Sequence, residues 1–208
     1  MKNLIISVGA AIVLTLSLPL PTVADTRVEI EGQLRSRTEV DRKKFSPDYA
    51  IQTYSDFRTR LGLSATVADN ALAFVQFQDS RRLGGITVAS DQSGTLTNTA
   101  NVDLHQAYVR IKHLWQNGPG LQAGRFEVNL GNQRGFGSVG WHNVGRSWEG
   151  FRADWHFAAA GLDIFWLKRL ELNHPIRNED FDIVGTQLTL RDWGAECFLF
   201  YEKDADIP

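Results

Sequence analysis

The stretch Arg27-Val-Glu-Ile-Glu-Gly-Gln-Leu-Arg-Ser-Arg-Thr-Glu-Val40 keeps a period of two from end to end. Val28, Ile30, Leu34 and Val40 share one parity, with Gly32, Ser36 and Thr38 between them. Arg27, Glu29, Glu31, Gln33, Arg35, Arg37 and Glu39 fill the other. Such a period turns the two sets to opposite faces of a strand. The alternation outlasts the about five or six residues of an ordinary globular strand, and its length suits a strand tilted across a bilayer.

The signature recurs outward from there. Asp56 to Val67 sets Phe57, Leu61, Leu63, Ala65 and Val67 against Asp56, Arg58, Arg60, Ser64 and Thr66. Ala71 to Gln78 follows less cleanly. Further candidates are Asp103 to His113, Leu121 to Leu130, Trp148 to Phe157, Gly161 to Arg169, Asp182 to Arg191 and Ala195 to Glu202, for about nine in all. Their connections alternate: 41–53, 80–101, 131–147 and 170–181 are long, while 68–70, 116–120, 158–160 and 192–194 are short. Asp69-Asn70 and Asn117-Gly-Pro-Gly120 carry turn chemistry. An up-and-down outer-membrane barrel has short periplasmic turns and long outer loops, and a periplasmic N-terminus gives the observed parity. A soluble sandwich or lipocalin-like barrel also alternates, but it has no need for every second connection to be long. Aromatics near strand ends, among them Tyr54, Phe57, Trp115, Trp141, Trp148, Trp155, Phe157, Trp166, Trp193 and Tyr201, fit an interfacial girdle.

Composition agrees once the strands are seen. The chain has 208 residues, a net charge of -2 and 43% hydrophobic residues, and its mean hydropathy is -0.23. That value excludes apolar helical spans and not alternating strands. Near-neutral charge gives no reason to expect nucleic acid. Residues 1–24 read as a signal peptide: Lys2 opens it, an apolar run extends from Leu4 to Leu18, and Thr22-Val-Ala24 offers a cleavage site. The single Cys197 cannot form an internal bridge, so the exported chain is held without disulfides.

In such a barrel the charged parity faces the lumen. The residues assigned there include Arg27, Arg35, Arg37, Arg58, Arg60, Arg110, Lys112, Arg125, Arg152, Arg169 and Arg191, opposed by acids such as Glu31, Asp56, Glu127, Asp154 and Asp163. Arginine forks match carboxylates, so this lining suits an anionic saccharide or small solute. The same charges also serve to pair with one another and stiffen the lumen. The histidines show no metal-ligand spacing, and no Gly-x-Ser-x-Gly elbow occurs. No metal, cofactor or enzymatic activity is therefore expected, with a lipid-modifying enzyme the least favoured alternative.

One region is more specific. Gly124-Arg-Phe-Glu-Val-Asn-Leu-Gly-Asn-Gln-Arg134 is followed by Trp141-His-Asn143 and by Gly145-Arg-Ser-Trp-Glu-Gly-Phe-Arg152. Here the chain resembles the alginate-export family of outer-membrane barrels, whose pattern is a Gly-Arg-Gln-Glu-like strand, a Gly-x-Gln-Arg turn, a Trp-x-Asn and a Gly-Arg-x-x-x-Gly. Phe74 to Arg81 and Leu104 to Tyr108 are similar to its preceding strands. The resemblance implies an outer-membrane channel, in the best-known members one that exports the polyuronate alginate past an arginine-rich constriction. Carried over residue by residue, it marks Arg125, Arg134 and Arg146 as pore contacts. Two departures are Phe126, where the family carries Gln, and the local acids Glu127 and Asp154.

Together these readings give an all-β, antiparallel up-and-down transmembrane barrel, with 25–208 its N-terminal portion and the barrel incomplete at nine strands. The expected function is passive passage of small or anionic solutes, within outer-membrane lipid. Alternatives are a structural or adhesive barrel with a filled lumen, and an eight-stranded closure.

Overall fold

Period-two alternation becomes strand wherever the sequence carries it. The computed structural model describes residues 25–41, 52–84, 102–133, 136–170 and 181–204. The expected signal peptide, 1–24, lies outside these residues. In chain order the strands are β1 (Thr26–Asp41), β2 (Gln52–Val67), β3 (Ala71–Gly84), β4 (Val102–Ile111), β5 (Gly120–Phe126), β6 (Trp148–His156), β7 (Ala160–Leu170), β8 (Phe181–Leu190) and β9 (Ala195–Asp204). Each pairs antiparallel with its chain neighbour in one sheet, ordered β1 to β9. Among the described residues neither β1 nor β9 has a second partner, so the sheet is open, as in an incomplete barrel. No helix occurs among the described residues.

Which face is buried settles the environment. Ile30 and Leu34 are 76% and 77% exposed, and Val28, Leu61, Leu63, Val75, Phe77, Val109, Phe151 and Val184 stand with them on the outer face. The opposite face buries Asp56, Arg58, Arg60, Gln76, Gln78, His105, Gln122, Asp154, Asp163 and Gln187. Water-soluble folds bury the apolar set. A continuous band of exposed aliphatic and aromatic side chains is at home against lipid, with the polar set facing a lumen. The outer face includes an apolar groove of about 490 Å³ between β4 and β8, lined by Val109, Leu121, Ala123, Phe151, Ile164 and Trp166.

β2 begins at Gln52 and β3 runs on to Gly84, beyond the expected Asp56 and Gln78, and two strands stop short of the alternation. The pattern predicts a fourth strand to His113, but β4 ends at Ile111 because Asn70 of the preceding turn takes over the pairing. Its carbonyl accepts from Lys112 N–H at 2.8 Å, and its side-chain amide exchanges bonds with the His113 backbone at 2.9 and 3.0 Å. The pattern also predicts a fifth strand to Leu130, whereas β5 stops at Phe126. Beyond it Val128 and Leu130 turn inward and are buried, and Gly131 takes a φ of +54° that reverses the chain.

That reversal builds an apolar core on the concave side. Val128, Leu130 and Phe136 pack against Phe126, Trp148, Phe165, Leu167 and Ile183. Phe136 meets the Phe165 and Phe200 rings edge-on at 5.4 and 5.3 Å, the favoured aromatic geometry. Gly185 makes room, since a Cβ there would stand 2.6 Å from the Phe165 ring. Trp148, expected in the girdle, is instead buried in this core. Tyr54 is also turned inward, donating to Glu39 at 2.5 Å. Trp115 and Trp193 do stand exposed at strand ends.

Candidate channel constriction

Beyond the core, the connection from β5 to β6 crosses the polar face of β1 to β3. Three consecutive carbonyls of this connection accept from arginines. Arg35 donates to Gly140 O at 2.7 Å and His142 O at 2.9 Å, and Arg58 donates to the same two oxygens at 3.3 and 3.1 Å. Arg37 donates to Trp141 O. Next along, Ser80 Oγ donates to Asn143 O at 3.0 Å and Gln78 Nε2 to Val144 O at 2.7 Å. The Asn143 side chain, 1% exposed, reaches between β2 and β3 to donate to Phe57 O and Arg81 O at 3.3 and 3.2 Å. Those two residues face each other in register, so one amide clips the loop to both strands.

The strand register explains why these arginines collect a neutral partner. Arg35 lies directly opposite Arg58, and like charges so placed destabilise a sheet. Carbonyl oxygens between them offset part of that repulsion. The remaining Arg58 bond goes to Gln33 Oε1 at 3.0 Å, again uncharged. The Nε atoms of Arg35 and Arg58 are buried with no hydrogen-bond acceptor among the described residues.

Around this pair the lumen charges are matched. Asp56, fully buried, accepts from Arg82 at 2.7 and 3.1 Å and from Arg37 at 3.3 Å. Arg60 donates to Gln78 at 2.6 Å and Glu127 at 3.0 Å and lies 2.8 Å from His105 Nε2. Arg110 forks onto Asp154 at 2.8 and 3.0 Å, and Arg152 donates to Asp163 at 2.7 Å. For Glu127, just beyond β5, burial pushes the carboxyl pKa up. Hydrogen bonds from His105 and Arg60 outweigh it and hold the group below its ordinary value. A polar cavity of about 210 Å³ remains between Glu31, Gln33, Arg60 and Gln76. It exists because Gly62 lets Glu31 lie across β2 and accept from Gln76 at 3.0 Å.

The structure therefore gathers Arg35, Arg58, Arg60, Arg110, Arg152, Glu127 and Asp154 on the concave side. Arg146 sits on the crossing loop, its guanidinium 5.9 Å from the Trp148 ring, and Arg134 lies outside the described residues. Arg125 is a correction. It shares parity with Leu121 and Ala123, pairs in register with Ala107 and Glu149, and bonds Glu149 at 3.0 Å on the outer face. Its charge argued for the lumen, but strict parity within β5 points the other way. Arg27 keeps the polar-face parity of Glu31 and Arg35 at the start of β1, where it pairs with Glu29, whereas Arg191 lies beyond the end of β8 and donates to Phe157 O and Ala158 O. Gln78, Ser80 and His105 lie within the family-like stretches Phe74 to Arg81 and Leu104 to Tyr108 but were not singled out as site residues. Asn143 was flagged only through the Trp-x-Asn pattern.

The alginate export family model matches residues 26–182, from the first residue of β1 to the start of β8. This chain belongs to the alginate export family. Membership agrees with the inside-out sheet in indicating an outer-membrane, export-type role. A comparison with curated proteins gives no match.

Proposed function

We propose that this alginate export family chain forms the wall of an outer-membrane channel through which small or anionic solutes pass down their gradient, polyuronate among them. The connection from β5 to β6 is its constriction. The observation that carries the reading is the arginine-clamped loop: a segment between two strands is held on the polar face by Arg35, Arg37 and Arg58 rather than extending beyond the sheet. Residues 25–208 then serve as the N-terminal portion of a larger barrel, because the outer edges of β1 and β9 lie open and a bilayer leaves no open edge unpaired.

Planar-bilayer recording of the refolded full-length protein tests this. Stepwise ionic conductance, reduced by oligouronate, is the expected result; a silent bilayer refutes it. The apolar core and the ion pairs beside the loop support a second reading, a barrel whose lumen is filled and structural. The same silent bilayer, with an intact fold, is what that reading expects.

A further inference from the structure

The tip of the constriction carries a feature that charge pairing does not use. Trp141 is 69% exposed, although the carbonyls on either side of it and its own are all held by arginines of β1 and β2. Its ring meets His142 edge-on at 5.8 Å. A large apolar side chain is thus left in the open while its backbone is fixed at three successive oxygens. The clamping side of the loop faces the sheet, and the indole is the part of the residue left uncovered. An exposed Trp ordinarily loses rotational freedom when it meets a ligand; here the backbone share of that ordering is already met.

The chemistry around the indole selects the partner. Indole offers a flat, electron-rich face and one N–H donor. The adjacent guanidinium groups of Arg35 and Arg37 are donors only. A ring with an apolar C–H face and oxygen acceptors around its rim satisfies both surfaces, and a small inorganic anion satisfies only the second.

Resting on the channel reading above, we propose that Trp141 is a stacking platform for a saccharide ring at the constriction, with Arg35 and Arg37 binding the ring's rim oxygens. The site takes pyranose units, neutral or acidic, and discriminates them from small anions. Acidic units gain further through the arginines, while the stacking contribution is common to both kinds.

Calorimetric titration of the detergent-held full-length protein with a neutral hexasaccharide and with a hexauronate tests the proposal. Trp141→Ala should weaken both by about tenfold, equivalent to about 1.4 kcal/mol, and Trp141→Phe should stay within about threefold of the parent. Arg35→Ala should weaken the uronate more than the neutral sugar. Equal affinity in the parent and Trp141→Ala, or no saccharide binding by the parent, overturns the proposal. Bilayer conductance of the same preparations is read separately. Intact conductance with no loss of sugar affinity in Trp141→Ala defeats the platform and keeps the channel. Sugar binding that depends on Trp141 in a non-conducting protein defeats the channel and keeps the platform.

Discussion

Asn143→Ala should release the constriction without unfolding the barrel. The side chain makes two hydrogen bonds, to Phe57 O and Arg81 O, and each contributes about 1 kcal/mol net. The substitution also leaves two strand carbonyls without that donor, so a loss of about 2 kcal/mol is the lower end of what the geometry allows. Because every 1.4 kcal/mol is a factor of ten, the loop should open about 30 times more often. Amide hydrogen exchange reads this directly. The Arg146 N–H, which donates to Ser138 O at 2.7 Å within the loop, should exchange about 30 times faster. Amides of the β2–β3 ladder away from Phe57 and Arg81 should keep their rates, and current fluctuations in a bilayer should grow. An unchanged Arg146 rate would show that the arginine clamp holds the loop alone. Equal acceleration throughout β2 and β3 would show that Asn143 supports the sheet and not the loop.

Removing the carboxylate in Asp56→Ala strips Arg82 of its acidic partner and Arg37 of one of two, and breaking a buried ion pair in this way costs about 3–5 kcal/mol; denaturant unfolding in detergent should show it. Gly150→Ala drives a Cβ to within 2.0 Å of the Trp166 carbonyl oxygen and so should force β6 from β7, losing about 3 kcal/mol or more, whereas Gly32→Ala, with nothing within 4 Å, should be neutral in the same assay. Glu127, held below its ordinary value of 4.5, contributes stability that is present above that value and lost as pH falls through its depressed value. Loop-amide exchange should therefore quicken on acidification below the ordinary carboxylate range, and a Glu127→Gln variant, already weakened at neutral pH, should lack that acid step.

Much of this fold is legible in the residues because a two-faced strand in a bilayer obeys one rule along its length. β1 and β2 keep every charged residue on one parity, and their register runs unbroken from Thr26↔Val67 to Asp41↔Gln52. β3 reads less cleanly for a physical reason: Phe74 faces inward, where it packs on the Tyr108 ring at 5.3 Å, so an apolar residue occupies the polar parity. The rule fails outright after Phe126. Val128 and Leu130 continue the alternation and read as strand, but they pack into a core that only the returning Phe136 completes. No local signal distinguishes an apolar residue facing lipid from one facing a folded-in loop. Arg125 shows the opposite error, where a charge was weighted above the parity of Leu121 and Ala123. The clamp itself was only half legible. Arginines on β1 and β2 are visible in the sequence, but their acceptors are main-chain oxygens, which every residue possesses.

The loop is anchored by two interactions of different kind, and this determines how it can move. Toward β6 to β8 it is held by apolar packing around Phe136 and Trp148, which is non-directional and strengthens with area removed from water. Toward β1 to β3 it is held by donors at fixed angles to the carbonyls of residues 140, 142, 143 and 144, each of which water or a solute oxygen can replace. A polar solute entering the lumen competes with the second anchor and not with the first. Opening should therefore begin at residues 143–144, held by the neutral donors Ser80 and Gln78, and stop at the carbonyls of 140–142, which the charged arginines hold more strongly. The lumen thus widens beside Gln78 and Ser80, where an oxygen-rich solute meets the donors released from residues 143 and 144.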